Sequence, residues 1–365
     1  MQVRFRNTQA HFQNEIALGR ELTTSDLVKN LLLKKIKAKN VSLDRPKVIW
    51  NRILEKFDNY GIEDAMDPFL FHHWLSQYDT TTQQKLFSRV KNYIDLDINR
   101  ASSFLWELQE NCDYYSAILN PSQYVWSKEE SDIRESLESL KLFNVRMQTP
   151  IILAFIRAYK KREISLRFLR QSLSGIESFH FIFNAITSKR SSGSISSIYN
   201  KHAQQISNAN SLDKIQSINT VFIRKLKGKI PEFEEFEVGF SNLLFTNNKT
   251  RHKKIIQYIL KRFMGKNLNG LPVDYRYITI EHLLPQSQGA DDIVGSIGNL
   301  ILLDRETNSE ELKDLEFFKK ISILKDKGYP LDSDLLQATT WTDKKIAQRT
   351  KNMAYKAYHE VWKII

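Results

Sequence analysis

Residues 278–308 decide the fold. They read Ile278-Thr279-Ile280-Glu281-His282-Leu283-Leu284-Pro285-Gln286, a polar loop, Ile297-Gly298-Asn299-Leu300-Ile301-Leu302-Leu303-Asp304, and then Arg305-Glu306-Thr307-Asn308. The β-branched and aromatic run from Tyr275 to Ile280 predicts a short strand with Glu281-His282 where it ends. Pro285 has no amide hydrogen, so the strand cannot continue past it in a sheet. Leu300 to Leu303 predicts a second strand, and Gly298 is expected to let the chain turn into it. Thr307 or Asn308 is expected to open a helix with apolar positions at Leu312, Leu315, Phe318, Ile321 and Leu324. Strand, loop, strand, helix puts Glu-His at one corner and Asn at the other, a compact arrangement for a metal and a base.

Just ahead of this stretch, Arg251 to Phe263 predicts an amphipathic helix. Arg251, Lys254 and Tyr258 share one face, and Ile255, Ile256, Ile259 and Leu260 cover the opposite side. With Lys261 and Arg262 these cations are the candidates for contact with a phosphate backbone, which gives affinity without sequence choice. Pro231 and the acidic run from Glu232 to Glu237 predict a domain boundary. From Lys47 to Gly228 the chain reads as mostly helical, with sparse glycine and proline and breaks at Gly61, Pro68, Pro121 and Pro150. The expected fold class is mainly α, with a helical domain over 46–235 and the strand–loop–strand–helix unit inside a final domain over 236–365. In residues 1–45, Thr23 followed by Asp26 reads as a capping box, and Leu27, Leu31 and Ile36 form an apolar face.

The chain has 365 residues, with 54 Lys and Arg against 42 Asp and Glu, a net charge of +12. A surplus of that sign fits a polyanionic partner. The single cysteine, Cys112, excludes an internal disulfide and a cysteine-based zinc site. The chain shows neither a long uncharged apolar span nor a signal-peptide pattern, so it reads as cytoplasmic, with no membrane partner. His72 and His73 are sequence neighbours; on a helix they point apart and are not expected to share a metal. The aromatic residues sit at helix-core spacings rather than as a stacking surface. Ser191 to Ser197 is expected to be a surface loop.

Glu281-His282 with Pro285, Asn299 within Gly298-Asn299-Leu300, and Asn308 resemble the His-Asn-His (HNH, ββα-metal) nucleases. The resemblance implies that His282 is the general base and that Glu281 and Asn308 hold one divalent metal, Mg²⁺ or Mn²⁺. It places Asn299 in the catalytic set as the residue that pins the loop so that the histidine points correctly. The chemistry suits those residue types. A neutral imidazole accepts a proton from water near pH 7. A hard cation on oxygen ligands stabilises the charge on a phosphodiester.

A second stretch, Gly19, Leu22, Thr23, Asp26, Leu27, Lys29 and Asn30, resembles a join in restriction proteins of the GmrSD type. There a ParB-like nucleotide-handling domain passes into a helical region. That upstream domain carries an Asp-Gly-Gln-Gln-Arg signature, and this chain contains no Asp-Gly pair. The ParB-like domain is therefore expected to be absent from this chain, supplied as a partner subunit or a further domain. Phe317-Phe318-Lys319-Lys320 matches the family's lysine after a phenylalanine, which adds Lys319 to the nucleic-acid contacts. Trp341, Ile346, Arg349, Ala354, Ala357 and Trp362 match its closing helix, where Arg349 either reaches a phosphate or buttresses the site. The acidic Glu310-Glu311 departs from the family pattern.

The resemblance implies a metal-dependent endonuclease acting on DNA, modified phage DNA included, as the effector of a restriction or anti-phage defence system. One HNH site cuts one strand, so duplex cleavage points to a homodimer or to two visits. Two alternatives stay open on the sequence: a DNA- or partner-binding module whose nuclease is silent without its sensor, and a nuclease directed at RNA.

Overall fold

The computed structural model describes residues 22–37, 44–97, 99–189, 193–265, 278–305, 307–312 and 315–364. Gly19, Tyr275 and Ser191-Ser192 lie outside these, as do the side chains of Glu310 and Glu311. The protein is mainly helical, and the described residues contain one two-stranded sheet. The chain forms two compact units. The first holds 22–138, 146–173 and 193–222; the second holds 139–145, 174–189 and 223–364. No helix among the described residues is long and apolar enough to cross a membrane.

In the first unit α1 (Thr24–Lys37) starts at the cap expected from sequence. The Thr23 hydroxyl accepts from the Asp26 amide at 3.2 Å, and the Asp26 carboxylate accepts from the Thr23 amide at 3.3 Å. Its buried stripe is Val28, Leu32 and Ile36, one residue past the expected Leu27 and Leu31. Then come α2 (Asp44–Asn59), α3 (Met66–Gln77), α4 (Gln83–Asp95) and α5 (Arg100–Leu119). Gly61 breaks the chain with φ of 62°, where a Cβ would be strained. Phe57, Phe69, Trp74, Phe104 and Tyr115 fill the core between them, as helix-core spacing predicts. Next in chain order are α6 (Ser131–Leu142), α7 (Thr149–Lys160), α8 (Leu166–His180), α9 (Gly193–Ser207) and α10 (Leu212–Lys227), of which α6, α8 and α10 end in stretches of the second unit. Pro150 sits in the first turn of α7, where its missing amide hydrogen costs nothing.

The second unit carries α11 (Phe233–Ser241), α12 (Lys253–Met264), β1 (Ile278–His282), α13 (Asp291–Val294) and β2 (Leu300–Asp304). These are followed by α14 (Phe317–Asp326), α15 (Ser333–Leu336) and α16 (Asp343–Lys356). β1 and β2 are antiparallel, with Ile280 opposite Leu302, Glu281 opposite Ile301 and His282 opposite Leu300. Side chains alternate along a strand, so each face carries its own set. Ile280, Leu300 and Leu302 pack into a core with Phe236, Ile256, Ile259 and Trp362. Ile301 and Leu303 pack the other way, with Leu283, Phe317, Leu324 and Leu335. A strand buried on both faces is apolar at every position, which explains Leu300-Ile301-Leu302-Leu303.

Four local expectations change. Gly193 to Ser197, expected within a surface loop, is the first turn of α9. Glu281 and His282 are the last two residues of β1 rather than residues beyond it. The helix expected from residue 307 is two pieces, a wide turn at Thr307–Leu312 and α14 from Phe317. The break resets the helical phase, so Phe317 and Leu324 turn inward and Phe318 is exposed. Gly298 does not serve a left-handed turn. A Cβ there would lie 2.3 Å from the Ile346 carbonyl oxygen and from the Thr350 hydroxyl, so the residue lets α16 approach the β2 entry.

Candidate active site

The end of β1 presents Glu281 and His282 to opposite faces of the sheet, both buried. On the Glu281 face, the Lys320 ammonium from α14 pairs with the Glu281 carboxylate and donates to the His282 carbonyl at 2.8 Å. Lys320 is 1% exposed, and the charged partner offsets the cost of burying it. Thr279, two residues before Glu281, shares that face, and its hydroxyl accepts from the Asn308 side-chain amide at 2.8 Å. The same amide nitrogen lies 3.5 Å from the Ile280 carbonyl, which only accepts, so the Asn308 oxygen is the end turned away. The sheet therefore brings Glu281 and Asn308 to one side.

Asp304 sets the turn that delivers Asn308. Its carboxylate accepts from the Thr307 amide at 2.9 Å and from the Tyr329 hydroxyl. Burial works against its charge, but those donors together hold the carboxyl below its ordinary range.

His282 faces the other way. Its Nε2 donates to the Phe245 carbonyl at 2.9 Å, and the Phe245 ring stacks on the imidazole with 5.8 Å between centroids. A carbonyl only accepts, so the neutral imidazole carries its hydrogen on Nε2 and keeps a lone pair on Nδ1. Burial lowers the affinity of His282 for a second proton. The Phe245 carbonyl opposes that, and the Lys320 ammonium adds to it. The net direction is downward, which keeps the ring neutral at pH 7.

Asn299 has no exposed surface. Its oxygen accepts from the Leu284 amide at 2.8 Å and the Trp341 indole at 2.9 Å. Its nitrogen donates to the Leu284 carbonyl at 2.9 Å and the Val294 carbonyl at 2.8 Å. All four of its hydrogen bonds are spent, three tying the loop after β1 to the entry of β2 and one held by Trp341, so it positions the site rather than meeting a reactant.

The cations divide. Arg251, Lys254 and Lys319 are exposed. Arg262 pairs with the buried Glu177, which also accepts from the Tyr258 hydroxyl at 2.6 Å; Lys261, beside it, is half-buried. Arg349 is 4% exposed and donates to Asp332 at 2.8 Å, to the Gly298 carbonyl at 2.7 Å and to the Leu300 carbonyl at 3.2 Å. Of the two roles expected for Arg349, phosphate contact or buttress, its burial and the bonds from Nε and Nη1 to Asp332 and the β2 entry favour the buttress. Among the described residues, no group of three or more His, Cys, Asp and Glu is placed to hold a metal. A cavity of about 580 Å³ lies among Phe143, Asn184, Asn242, Arg251 and Ile255, away from the sheet.

Sequence reasoning missed Lys320, Phe245, Gln286 and the role of Trp341. Lys320 had a usable signal, because Phe317, Lys320 and Leu324 lie three and four residues apart on one face. Phe245 had none, since only tertiary structure brings it to His282; Gln286 lies four residues past His282, but outside a helix that spacing does not set where its amide points.

Fold and site together define a helical protein with one small ββα unit, whose strand end buries a glutamate, a lysine and a neutral histidine. Residues 231–356 match the family model described as GmrSD restriction endonucleases, C-terminal domain. Over that stretch the chain is similar to the C-terminal domain of that family. The search of curated proteins finds no match.

Proposed function

We propose that the second unit is an HNH-type, metal-dependent endonuclease that hydrolyses DNA phosphodiesters, acting in the cytoplasm as the effector of a restriction or anti-phage system. The observation that carries this reading is His282: a buried imidazole with its tautomer fixed by a backbone carbonyl, at the end of a strand whose other face carries Glu281 and, bonded to Thr279, Asn308. That base sits inside a domain matched to restriction endonucleases.

His282 Nδ1 takes a proton from the attacking water, and burial keeps it deprotonated and ready at neutral pH. Glu281 and Asn308 suit a hard cation: one carboxylate and one neutral amide oxygen on a shared face leave positions for water and phosphate oxygens. The bound cation supplies charge stabilisation at the phosphate. Lys320 holds the Glu281 carboxylate and the His282 carbonyl in place, and so fixes both faces of the strand end from one side chain. Asn299 and Arg349 hold the loop and the β2 entry against which β1 is registered.

The test is a plasmid-cleavage assay on the full chain and on His282→Ala with Mg²⁺, Mn²⁺ or EDTA, using plain and base-modified DNA. Metal-dependent nicking that the substitution abolishes supports the reading. DNA binding without cleavage by the native chain replaces it with a binding module, and a preference for RNA in competition redirects the substrate class.

A further inference from the structure

One short segment, Phe245 to Asn247, holds the His282 imidazole from three directions. Two are direct, through the Phe245 carbonyl and the Phe245 ring. The third runs through Gln286. The Asn247 amide donates to Gln286 Oε1 at 3.0 Å. A backbone N–H can only donate, so this bond fixes which end of the side-chain amide is oxygen. The other end, Nε2, then faces His282 Nδ1 at 3.4 Å. That separation is long for a direct hydrogen bond. A water about 2.9 Å from both atoms fits at the apex of a triangle on that edge.

We propose that Gln286 is a catalytic residue that positions the attacking water; the inference rests on the hydrolytic reading above. Gln286 Nε2–H donates to the water oxygen while His282 Nδ1 accepts one water proton. In the step, one water O–H bond breaks and its proton passes to Nδ1. The freed electron pair forms the new O–P bond. The P–O3′ bond breaks with its pair on the leaving oxygen, which takes a proton from solvent.

The segment that fixes Gln286 is itself clamped. The Phe245 amide donates to the Gly295 carbonyl at 2.9 Å. The buried Thr246 hydroxyl accepts from the Asn248 and Lys249 amides at 3.3 and 3.1 Å. A Cβ on Gly295 would lie 2.7 Å from the Thr246 methyl, so only glycine allows this approach. The same segment continues into Lys249, Arg251, Lys253 and Lys254, all exposed, with no acidic residue from 246 to 254. The loop that sets the water-orienting amide is therefore the loop that offers cations to a phosphate backbone.

The experiment compares single-turnover plasmid cleavage by the native full chain, Gln286→Ala, Gln286→Glu and His282→Ala, with DNA affinity measured separately in EDTA. Gln286→Ala should cut roughly ten- to a hundredfold more slowly, with affinity within about twofold of native. Gln286→Glu should be slower still. It keeps the shape and the Asn247 bond, but its carboxylate accepts where the amide donates. A residue that only packs would be rescued by that substitution. In metal-free protein, the ¹⁵N resonance of His282 Nδ1 should move in Gln286→Ala. Native rates in both Gln286 variants, or an unmoved resonance, overturn the inference; if His282→Ala is dead, the nuclease reading still stands. Cleavage by His282→Ala, or none by the native chain, overturns that reading and the inference with it.

Discussion

Arg157 in the first unit and Lys320 in the second are buried to nearly the same degree, 5% and 1% exposed. Arg157 gives its donors to neutral groups on three different helices, Asn111 of α5, Ser76 of α3 and Ser207 of α9, each at 2.9 Å. Burial lowers its pKa to about 10, against the pull of Glu107 nearby. Lys320 instead meets two consecutive residues, the carboxylate of Glu281 and the carbonyl of His282. A cation spread over distant neutral partners staples helices together. A cation focused on one strand end sets the position and charge of two side chains. The contrast predicts which substitutions damage the fold and which damage the chemistry.

The largest effect should separate the two cleanly. His282→Ala removes the base and should lower cleavage on the order of 10²- to 10⁴-fold, with the fold kept. Arg157→Met should do the reverse. It leaves Asn111, Ser76 and Ser207 without their buried donor and should cost about 2–4 kcal/mol of stability. The folded fraction should cut at the native rate. Urea unfolding alongside the plasmid assay reads both, and a dead but stable Arg157→Met would sink the distinction.

Lys320→Met should fall between them. It strands the buried Glu281 carboxylate, a cost of about 3 kcal/mol, and it also releases the strand end. Cleavage should drop tenfold or more at equal folded concentration, measured by the same pair of assays. Stability lowered with the rate intact would make Lys320 a staple like Arg157.

Acid should act on both units alike, because each hides a histidine unconnected with the site. Burial pushes His72 in the first unit and His180 in the second down to about 4. The unfolded imidazole titrates near 6.5. Between those values the unfolded chain takes up protons that the folded chain refuses, so stability falls as pH drops from about 6.5 to about 4 and levels off below. At pH 5 each group should have cost about 2 kcal/mol. Unfolding at pH 7 and pH 5 checks this, and His72→Gln should remove the share that His72 contributes.

Much of the second unit was legible because its signals are local. Pro285, the doubly buried run Leu300 to Leu303 and the Glu281-His282 pair announce strands and their ends. Asn299 was legible as a loop pin through the resemblance of its stretch to HNH nucleases, and its partners at Leu284 and Val294 lie within fifteen residues. What stayed hidden depends on partners distant in sequence or on helical phase. The break between Leu312 and Phe317 turned Lys320 inward and left Lys319 outside, which no single apolar periodicity could show. Phe245 reaches His282 across 37 residues, and Arg349 reaches Gly298 across 51. Arginine in an otherwise amphipathic helix looks the same in sequence whether it meets phosphate or a carbonyl.

That last ambiguity gives the smallest and most specific prediction. Arg251 and Lys254 are exposed, whereas Arg349 is buried and spent on its own backbone. Removing one cation that neutralises a phosphate should reduce the slope of log affinity against log salt by about 0.9. Arg251→Ala and Lys254→Ala should each do so with stability held within about 0.5 kcal/mol. Arg349→Ala should leave the slope alone and lower stability, since the Gly298 and Leu300 carbonyls lose their donor in a dry site. Filter binding at several salt concentrations, with a melting curve for each variant, decides it. A slope that moves with Arg349 and not with Arg251 would mean that the DNA path crosses the α16 side of the unit. The loop that holds His282 would then have no part in seating the substrate.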